Sequence, residues 1–283
     1  MRLVSFQPAG GTPHVGVVVG DQVFPLDSSV YPDMTSFLSA GSEALAEAEK
    51  IGRGEPQTHT KRRLSDVTLL PPVTRPGKII AVGLNYRDHT IETKLEIPTV
   101  PVIFAKFPSS INGPGAPVVL PKDDPQGDYE AELAVVIGRK TKAVSEAEAL
   151  NCVAGYMPLN DVSARRWQFA DKQWVRGKSC DTFCPTGPWL TTRDAVPDPH
   201  ALSIRMRVNG NVVQNSNTSN LIFRIPQLIA FISAAITLEP GDIIATGTPD
   251  GVGVFRKPPV FLKSGDAMEV EIEGLGVLRN PVV

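Results

Sequence analysis

Apolar residues along this chain gather in short runs, separated by turns rich in glycine, proline and aspartate. That spacing predicts many strands joined by tight or irregular turns rather than a bundle of long helices. The segment HVGVVVGDQVFPL reads as a hairpin around Gly20-Asp21. Thr35 to Ile51 carries the alanine and glutamate spacing of a helix, and the polar stretch GRGEPQTHTKRR reads as a connector. From Val67 onward the pattern shifts to apolar strands and proline-rich turns. LLPPVTRPGKIIAVGLNY predicts a strand ending at Gly83-Leu84-Asn85, and VPVIFAKFP predicts another. In GDYEAELAVVIG the residues Leu133 to Ile137 are all apolar, the mark of a strand buried on both faces. VSEAEALNCVAG predicts a short helix, with Ser145 and Glu148 spaced as a capping box. IPQLIAFISAAITL predicts a helix with a core-facing stripe. LEPGDIIATG and LKSGDAMEVEIEG each set an apolar strand behind a Gly-Asp turn.

These elements describe a mainly β protein with some α (α+β). A small N-terminal domain, residues 1–70, precedes a larger body, residues 71–283. The 26 prolines favour that many-stranded body, because proline is tolerated in its irregular loops. A net charge of -2 gives no electrostatic footprint for nucleic acid or an anionic membrane. The start, MRLVSFQPAGGTPHVG, lacks the pattern of a secretory signal, and the run from about Leu228 to Leu238 is too short to span a bilayer. Cys152, Cys180 and Cys184 are odd in number and lack zinc-site spacing, which predicts reduced thiols in a cytoplasmic protein.

The chemistry concentrates around three carboxylates. Glu130 and Glu132 stand two apart on a strand, so they project to one face. Two buried neighbouring carboxylates repel and lose hydration, so positive charge is required beside them. A hard divalent cation, Mg2+ first and Mn2+ or Ca2+ next, satisfies that need, and so do matched lysines or arginines. Asp161 follows in NDVSARRWQFADKQW, where a helix starting at Asp161 would align it with Arg165 and Gln168. A carboxylate, a guanidinium and an amide on one face suit a metal and an oxygen-rich anion; a capped surface helix with an Asp–Arg pair has the same spacing. Lys178 follows a glycine in a turn-rich stretch, and Lys106 is flanked by apolar residues, where a lysine either snorkels or finds a partner. His89 and Glu92 in NYRDHTIET are close enough to pair on a helical turn, the arrangement of a general base. ATGTPDGVG is glycine-rich but lacks Gly-Lys-Ser/Thr and is not a phosphate loop; its hydroxyls and amides suit a small anion.

Taken in order, GDYEAELAVVIG, NDVSARRWQ, RGKSCDTFCPTGPW and PGDIIATGTPDGVG resemble the signature segments of the fumarylacetoacetate hydrolase family, over residues from about 70 to the C-terminus. The resemblance implies a β-rich body of rolled sheets, a smaller N-terminal domain and a homodimer. It implies Glu130, Glu132 and Asp161 as ligands of Mg2+ or a similar ion. Arg165, Gln168 and Lys178 become contacts to substrate or oxyanion, Lys106 and Thr248 further substrate contacts, and His89–Glu92 a dyad on a lid. In Lys106 the motif departs slightly, since Phe107-Pro108 follows where the family has proline directly.

The substrates implied are 2-oxo acids, with the acylpyruvase or diketo-acid hydrolase branch as the expectation. His89, with Glu92, would activate a water to cleave a 2,4-diketo acid, either an acylpyruvate or a 2,4-diketo-3-deoxy sugar acid, releasing pyruvate. Lys178 and Gln168 would steady the oxyanion. The alternatives are oxaloacetate decarboxylation, a 2-hydroxymuconate-type keto–enol isomerase, sugar-acid dehydration, and a non-catalytic ligand-binding protein on the same fold. The segment from Tyr86 to Ile97 is expected to be an open or disordered lid.

Overall fold

The computed structural model describes residues 1–54, 60–93 and 95–283. Residues 55–59 of the expected connector, and Lys94 of the expected lid, lie outside the described residues.

The centre of the molecule is the strand Ala131–Ile137, every residue of which is buried. It runs antiparallel to Val153–Asn160 on one side and to Ile243–Ala245 on the other. Ile79–Gly83 pairs parallel with Ile243–Ala245, and Val102–Lys106 closes that edge. On the opposite side Leu190–Thr192 leads to Arg2–Pro8, the hairpin His14–Val19 and Gln22–Pro25, and Arg62–Arg63; with Val67–Leu70, which also pairs with Arg2–Pro8, the sheet has 11 strands. The N-terminal strands are joined to it through the pairs Arg2↔Thr191 and Leu3↔Leu190.

Alternation along the central strand builds a core on both sides. Leu133, Val135 and Ile137 pack in one cluster with Ile204, Met206 and Val270 of a second, four-stranded sheet and with the helix Ile225–Ala235. That helix turns Ile225, Leu228, Ile229 and Ile232 inward, the stripe read from its sequence. Ala134 and Val136 face the other way, into a cluster with Phe37, Met157 and Ile243. The result is the mainly β, rolled-sheet α+β architecture. Among the described residues, no helix is long and apolar enough to cross a membrane.

Three local expectations change. Thr35 to Ile51 is not one helix but two, Met34–Ser39 and Ser42–Gly52. Gly41 between them has a φ of 67°, a left-handed conformation that ends a helix. Ser145 does not cap its helix; its hydroxyl donates to Glu148 at 3.1 Å instead. No helix starts at Asp161, because Ser163–Ala164 pairs with Gly127–Asp128 as a short ladder. The helix is Arg165–Ala170 only, followed by a separate turn, Val175–Lys178.

Candidate active site

The strand register sets the site. Ala131 pairs with Asn160, so Glu130 and Asp161 lie just beyond the end of the same ladder. Asp161 N–H donates to the Glu130 carbonyl at 2.9 Å, and Glu130 N–H donates to the Asn160 side chain at 3.0 Å. Glu132, one pleat further in, accepts a hydrogen bond from Gly247 N–H at 2.8 Å. One carboxylate oxygen from each of Glu130, Glu132 and Asp161 lies within 4.8 Å of the others, and all three residues are buried.

Positive side chains surround two of them. Lys178 Nζ lies 2.7 Å from Glu130 and 2.8 Å from Asp161. Lys106 Nζ lies 2.6 Å from the other oxygen of Asp161 and also donates to the Lys178 carbonyl. Arg165 Nη1 lies 2.7 Å from Glu130 and donates to Gln168 at 2.9 Å. Arg165 and Gln168, three apart on their short helix, therefore meet, while Asp161 reaches them from a strand end. The helix is held in place from below, since Asp124 accepts from Trp167 N–H at 2.9 Å and Gln126 from Arg165 N–H at 3.0 Å.

The electrostatics separate the glutamates. Burial pushes Glu130 up, but Lys178 and Arg165 outweigh it and bring the carboxyl down to about 2. Burial raises Glu132 well above the usual carboxylate range, and Asp161 and Glu130 raise it further. Burial opposes the charge on Lys178, yet Asp161 and Glu130 hold it above the usual lysine range. Lysine and arginine thus match Glu130 and Asp161, and Glu132 has no ion pair among the described residues. Three converging carboxylates, one of them without a cation, are a donor set that fits a hard divalent metal.

The dyad sits across from the carboxylates. His89 Nδ1 is 3.0 Å from Glu92, whose other oxygen accepts from Gly251 N–H at 3.0 Å. The segment expected as an open or disordered lid carries the helix Arg87–Thr93. Asp88 docks that helix, accepting from Asn220 at 3.0 Å and from the Ser216 hydroxyl. His89, Glu130, Arg165, Gln168, Lys178 and Thr248 all line one cavity of about 100 Å³. Thr248 also accepts from Gln214 at 2.8 Å. Lys106 does not line the cavity; its buried side chain stands behind Asp161.

Two groups escaped sequence reading. Trp174 and Phe104 form an edge-on pair in the cavity wall, with ring centroids 5.3 Å apart. A Cβ on Gly83 would come within 2.6 Å of Trp174, so the strand end must be glycine for the indole to lie there. Asp128, fully buried, accepts from Arg165 Nε at 2.9 Å. Its place two residues ahead of Glu130 was the available signal.

The β-body brings a buried carboxylate triad that could hold a divalent ion close to a cavity lined by His89, Glu130, Arg165 and Lys178, the makings of an enzyme site. The chain belongs to the fumarylacetoacetate hydrolase family: the model of the fumarylacetoacetate (FAA) hydrolase C-terminal region matches residues 78–283. It is similar to oxaloacetate tautomerase fahd2, mitochondrial, of Xenopus laevis, 48% identical over 100% of this chain and 90% of the relative. The human oxaloacetate tautomerase FAHD2A, mitochondrial, is 48% identical over 100% of this chain and 92% of its own. Among solved structures, 5-carboxymethyl-2-hydroxymuconate delta-isomerase from Mycobacterium smegmatis superposes with a TM-score of 0.82 at 38% identity, covering 100% of this chain and 99% of that one.

These relatives correct several expectations. The acylpyruvase or diketo-acid hydrolase branch is replaced by the tautomerase and isomerase branch. Assignment as a hydrolase of C–C bonds, releasing pyruvate by attack of water, falls with it. The physical reason is that hydrolysis and tautomerisation of a 2-oxo acid call on the same anion-binding groups and the same base, so those residues do not separate the two. The cytoplasmic location is overturned too, since these full-length tautomerase relatives are mitochondrial proteins.

Proposed function

We propose that this protein is a divalent-metal-dependent keto–enol tautomerase of short 2-oxo dicarboxylates, the class to which oxaloacetate belongs. The observation that carries it is His89, paired with Glu92, lining the same small cavity as Glu130, Arg165 and Lys178. The tautomerase relatives along the whole chain support it.

Tautomerisation moves one proton from the carbon beside the 2-oxo group to its oxygen, or back. No bond of the carbon skeleton breaks, and no water is consumed. In the enolising direction His89 takes the proton from carbon and delivers it to the enolate oxygen; in the ketonising direction it takes the hydroxyl proton and delivers it to carbon. Glu92 engages Nδ1, leaving Nε2 for that transfer. Lys178 and Gln168 steady the negative charge that gathers on oxygen, and preorganised donors of this kind each contribute ~3 kcal/mol. Arg165 and Thr248 hold substrate carboxylate. Lys106 contributes by fixing Asp161 and the Lys178 backbone. Glu130, Glu132 and Asp161 would hold Mg2+, with Mn2+ or Ca2+ as the other fits, and the ion when bound supplies Lewis-acid stabilisation of the 2-oxo oxygen.

We take residues 1–70 as a small N-terminal domain and 71–283 as the catalytic domain; the family match beginning at residue 78 supports that division. We also infer a homodimer. Exposed Val102 on the edge strand, with Val100 and Phe107 exposed just beyond its two ends, supports it, since an apolar sheet edge calls for a cover.

The test is the decay of enol absorbance after enol oxaloacetate is mixed with Mg2+-loaded protein, with pyruvate assayed in parallel. Wild type accelerates enol loss without releasing pyruvate, and EDTA abolishes the acceleration. His89→Gln reduces it by about 100- to 10,000-fold. Pyruvate appearing as fast as enol disappears would replace tautomerisation with decarboxylation, and no acceleration would overturn the reading.

A further inference from the structure

Asp128 sits at the junction of three pieces that the chemistry requires. It is fully buried and carries no cavity-lining role of its own. One of its oxygens accepts from Tyr129 N–H and from Gly253 N–H, each at 2.8 Å. The other accepts from Val254 N–H at 3.0 Å and from Arg165 Nε at 2.9 Å. Four donors on one carboxylate are what a buried charge needs to remain charged. The approach of the loop is specific as well: a Cβ on Gly253 would meet the Val260 carbonyl at 2.0 Å and Asp128 at 2.6 Å.

Arg165 is gripped from two sides. Asp128 takes Nε, while Glu130 and Gln168 take Nη1. The plane of the guanidinium is thereby set. Its Nη2 is buried without a hydrogen-bond partner among the described residues, and the residue lines the cavity. A buried, unpaired cationic donor is costly unless a ligand completes it, and a planar fork is the fit for a carboxylate. The loop held by Asp128 also reaches the dyad, since Gly251 N–H donates to Glu92. Tyr129 O–H and Arg256 Nε both donate to the Gly251 carbonyl, at 3.2 Å each, which stiffens that loop.

We propose that Asp128 is a positioning residue that fixes Arg165 with Nη2 presented to a substrate carboxylate and registers it against the Gly251–Val254 loop, whose Gly251 N–H holds Glu92. This rests on the reading of Arg165 as the carboxylate contact.

Asp128→Asn tests it with a defined loss. The amide oxygen keeps Tyr129 N–H and Gly253 N–H, and the amide NH2 then confronts Val254 N–H and Arg165 Nε, donor against donor. The probe is oxalate, titrated calorimetrically into Mn2+-loaded protein, with Mn2+ affinity measured separately. Oxalate affinity falls about tenfold or more, the scale of a charge-assisted hydrogen bond. Mn2+ affinity stays within about twofold, because the three carboxylate ligands keep their own partners. In turnover the loss lies in KM more than in kcat. In an Arg165→Met background, Asp128→Asn adds nothing further to oxalate binding. That pair is compared directly should the single variant not fold, since removal of the guanidinium relieves the donor clash.

Unchanged oxalate affinity in the single variant, or a further tenfold loss in the Arg165→Met background, overturns the proposal. Oxalate binding that responds as stated, in a protein that leaves enol oxaloacetate untouched, overturns the tautomerase reading and leaves the positioning role standing.

Discussion

At its far end the central strand packs Leu133, Val135 and Ile137 against the second sheet and the Ile225–Ala235 helix. At its near end Glu132, with Glu130 just outside the ladder, meets Asp161, Lys178, Lys106 and Arg165. Both ends are buried, and the physics that holds them is opposite. The apolar end gains from every methylene removed from water, about 25 cal/mol per Å² of buried surface. The charged end is desolvated at a cost that pairing only offsets. Stability is therefore concentrated at one end of the strand and function at the other, within a few residues of each other.

The sharpest way to break this contrast is at Glu132, which lacks an ion-pair partner among the described residues. Glu132→Gln keeps an acceptor for Gly247 N–H and removes the cost of burying that carboxyl group, whether it is ionised or protonated. Metal-dependent turnover falls by at least about 100-fold, and calorimetric Mn2+ binding is lost. The melting temperature of the EDTA-treated variant rises above that of EDTA-treated wild type. A lower melting temperature would mean that the charged end contributes to folding, and the contrast would fail.

Leu133→Ala probes the other end. The cavity it leaves costs about 2–5 kcal/mol in denaturant unfolding, while Mn2+ affinity of the folded fraction is unchanged. Loss of metal binding in step with stability would show that the two ends are mechanically coupled.

The smallest effect is a pH dependence seated on the apolar side. His200 is buried and accepts from Ile225 N–H at 3.2 Å, at the start of the helix that packs on Leu133, Val135 and Ile137. Burial lowers its pKa, with Asp198 opposing. A histidine depressed in the folded state takes up its proton first in the unfolded chain. Stability is therefore flat above the ordinary imidazole value of about 6.5 and declines as pH falls below it, until the folded-state value is passed. Denaturant midpoints of wild type and His200→Asn between pH 7.5 and 5 check this (about the range in which imidazole titrates). The variant loses less on acidification, and identical slopes would remove His200 from the account.

Much of this was legible before any coordinates. The run Leu133 to Ile137 declared a doubly buried strand because nothing polar interrupts it, and the two faces did fill with separate clusters. Glu130, Glu132 and Asp161 were legible because strand periodicity puts the first two on one face, and the structure brings Asp161 to them. The His89–Glu92 pair was legible because helical spacing alone can make it. Lys106 was legible only as a lysine among apolar residues that either snorkels or finds a partner, and the fold chose burial behind Asp161.

What failed did so where local pattern met a longer-range contact. The helix read from Asp161 was shortened by the two-residue ladder of Ser163–Ala164 with Gly127–Asp128, a pairing between segments far apart in the chain. The spacing of Asp128 two residues ahead of Glu130 marks it only faintly, and the folded loop from Gly251 to Val254 reveals what it holds. The branch of the family was misjudged for a chemical reason, since one set of anion-binding groups and one base serve more than one reaction of a 2-oxo acid.

The sequence by itself determined which positions are apolar at a period of two, which carboxylates share a strand face, and which side chains carry protons or charge. Those follow from covalent geometry and side-chain chemistry, which act over a few residues. Only the tertiary structure decided which cation meets which carboxylate, leaving Glu132 without an ion pair among the described residues, and joined Arg165 to the Gly251–Val254 loop through Asp128. Such pairings depend on the register of strands that are distant in sequence, and no local rule specifies that register.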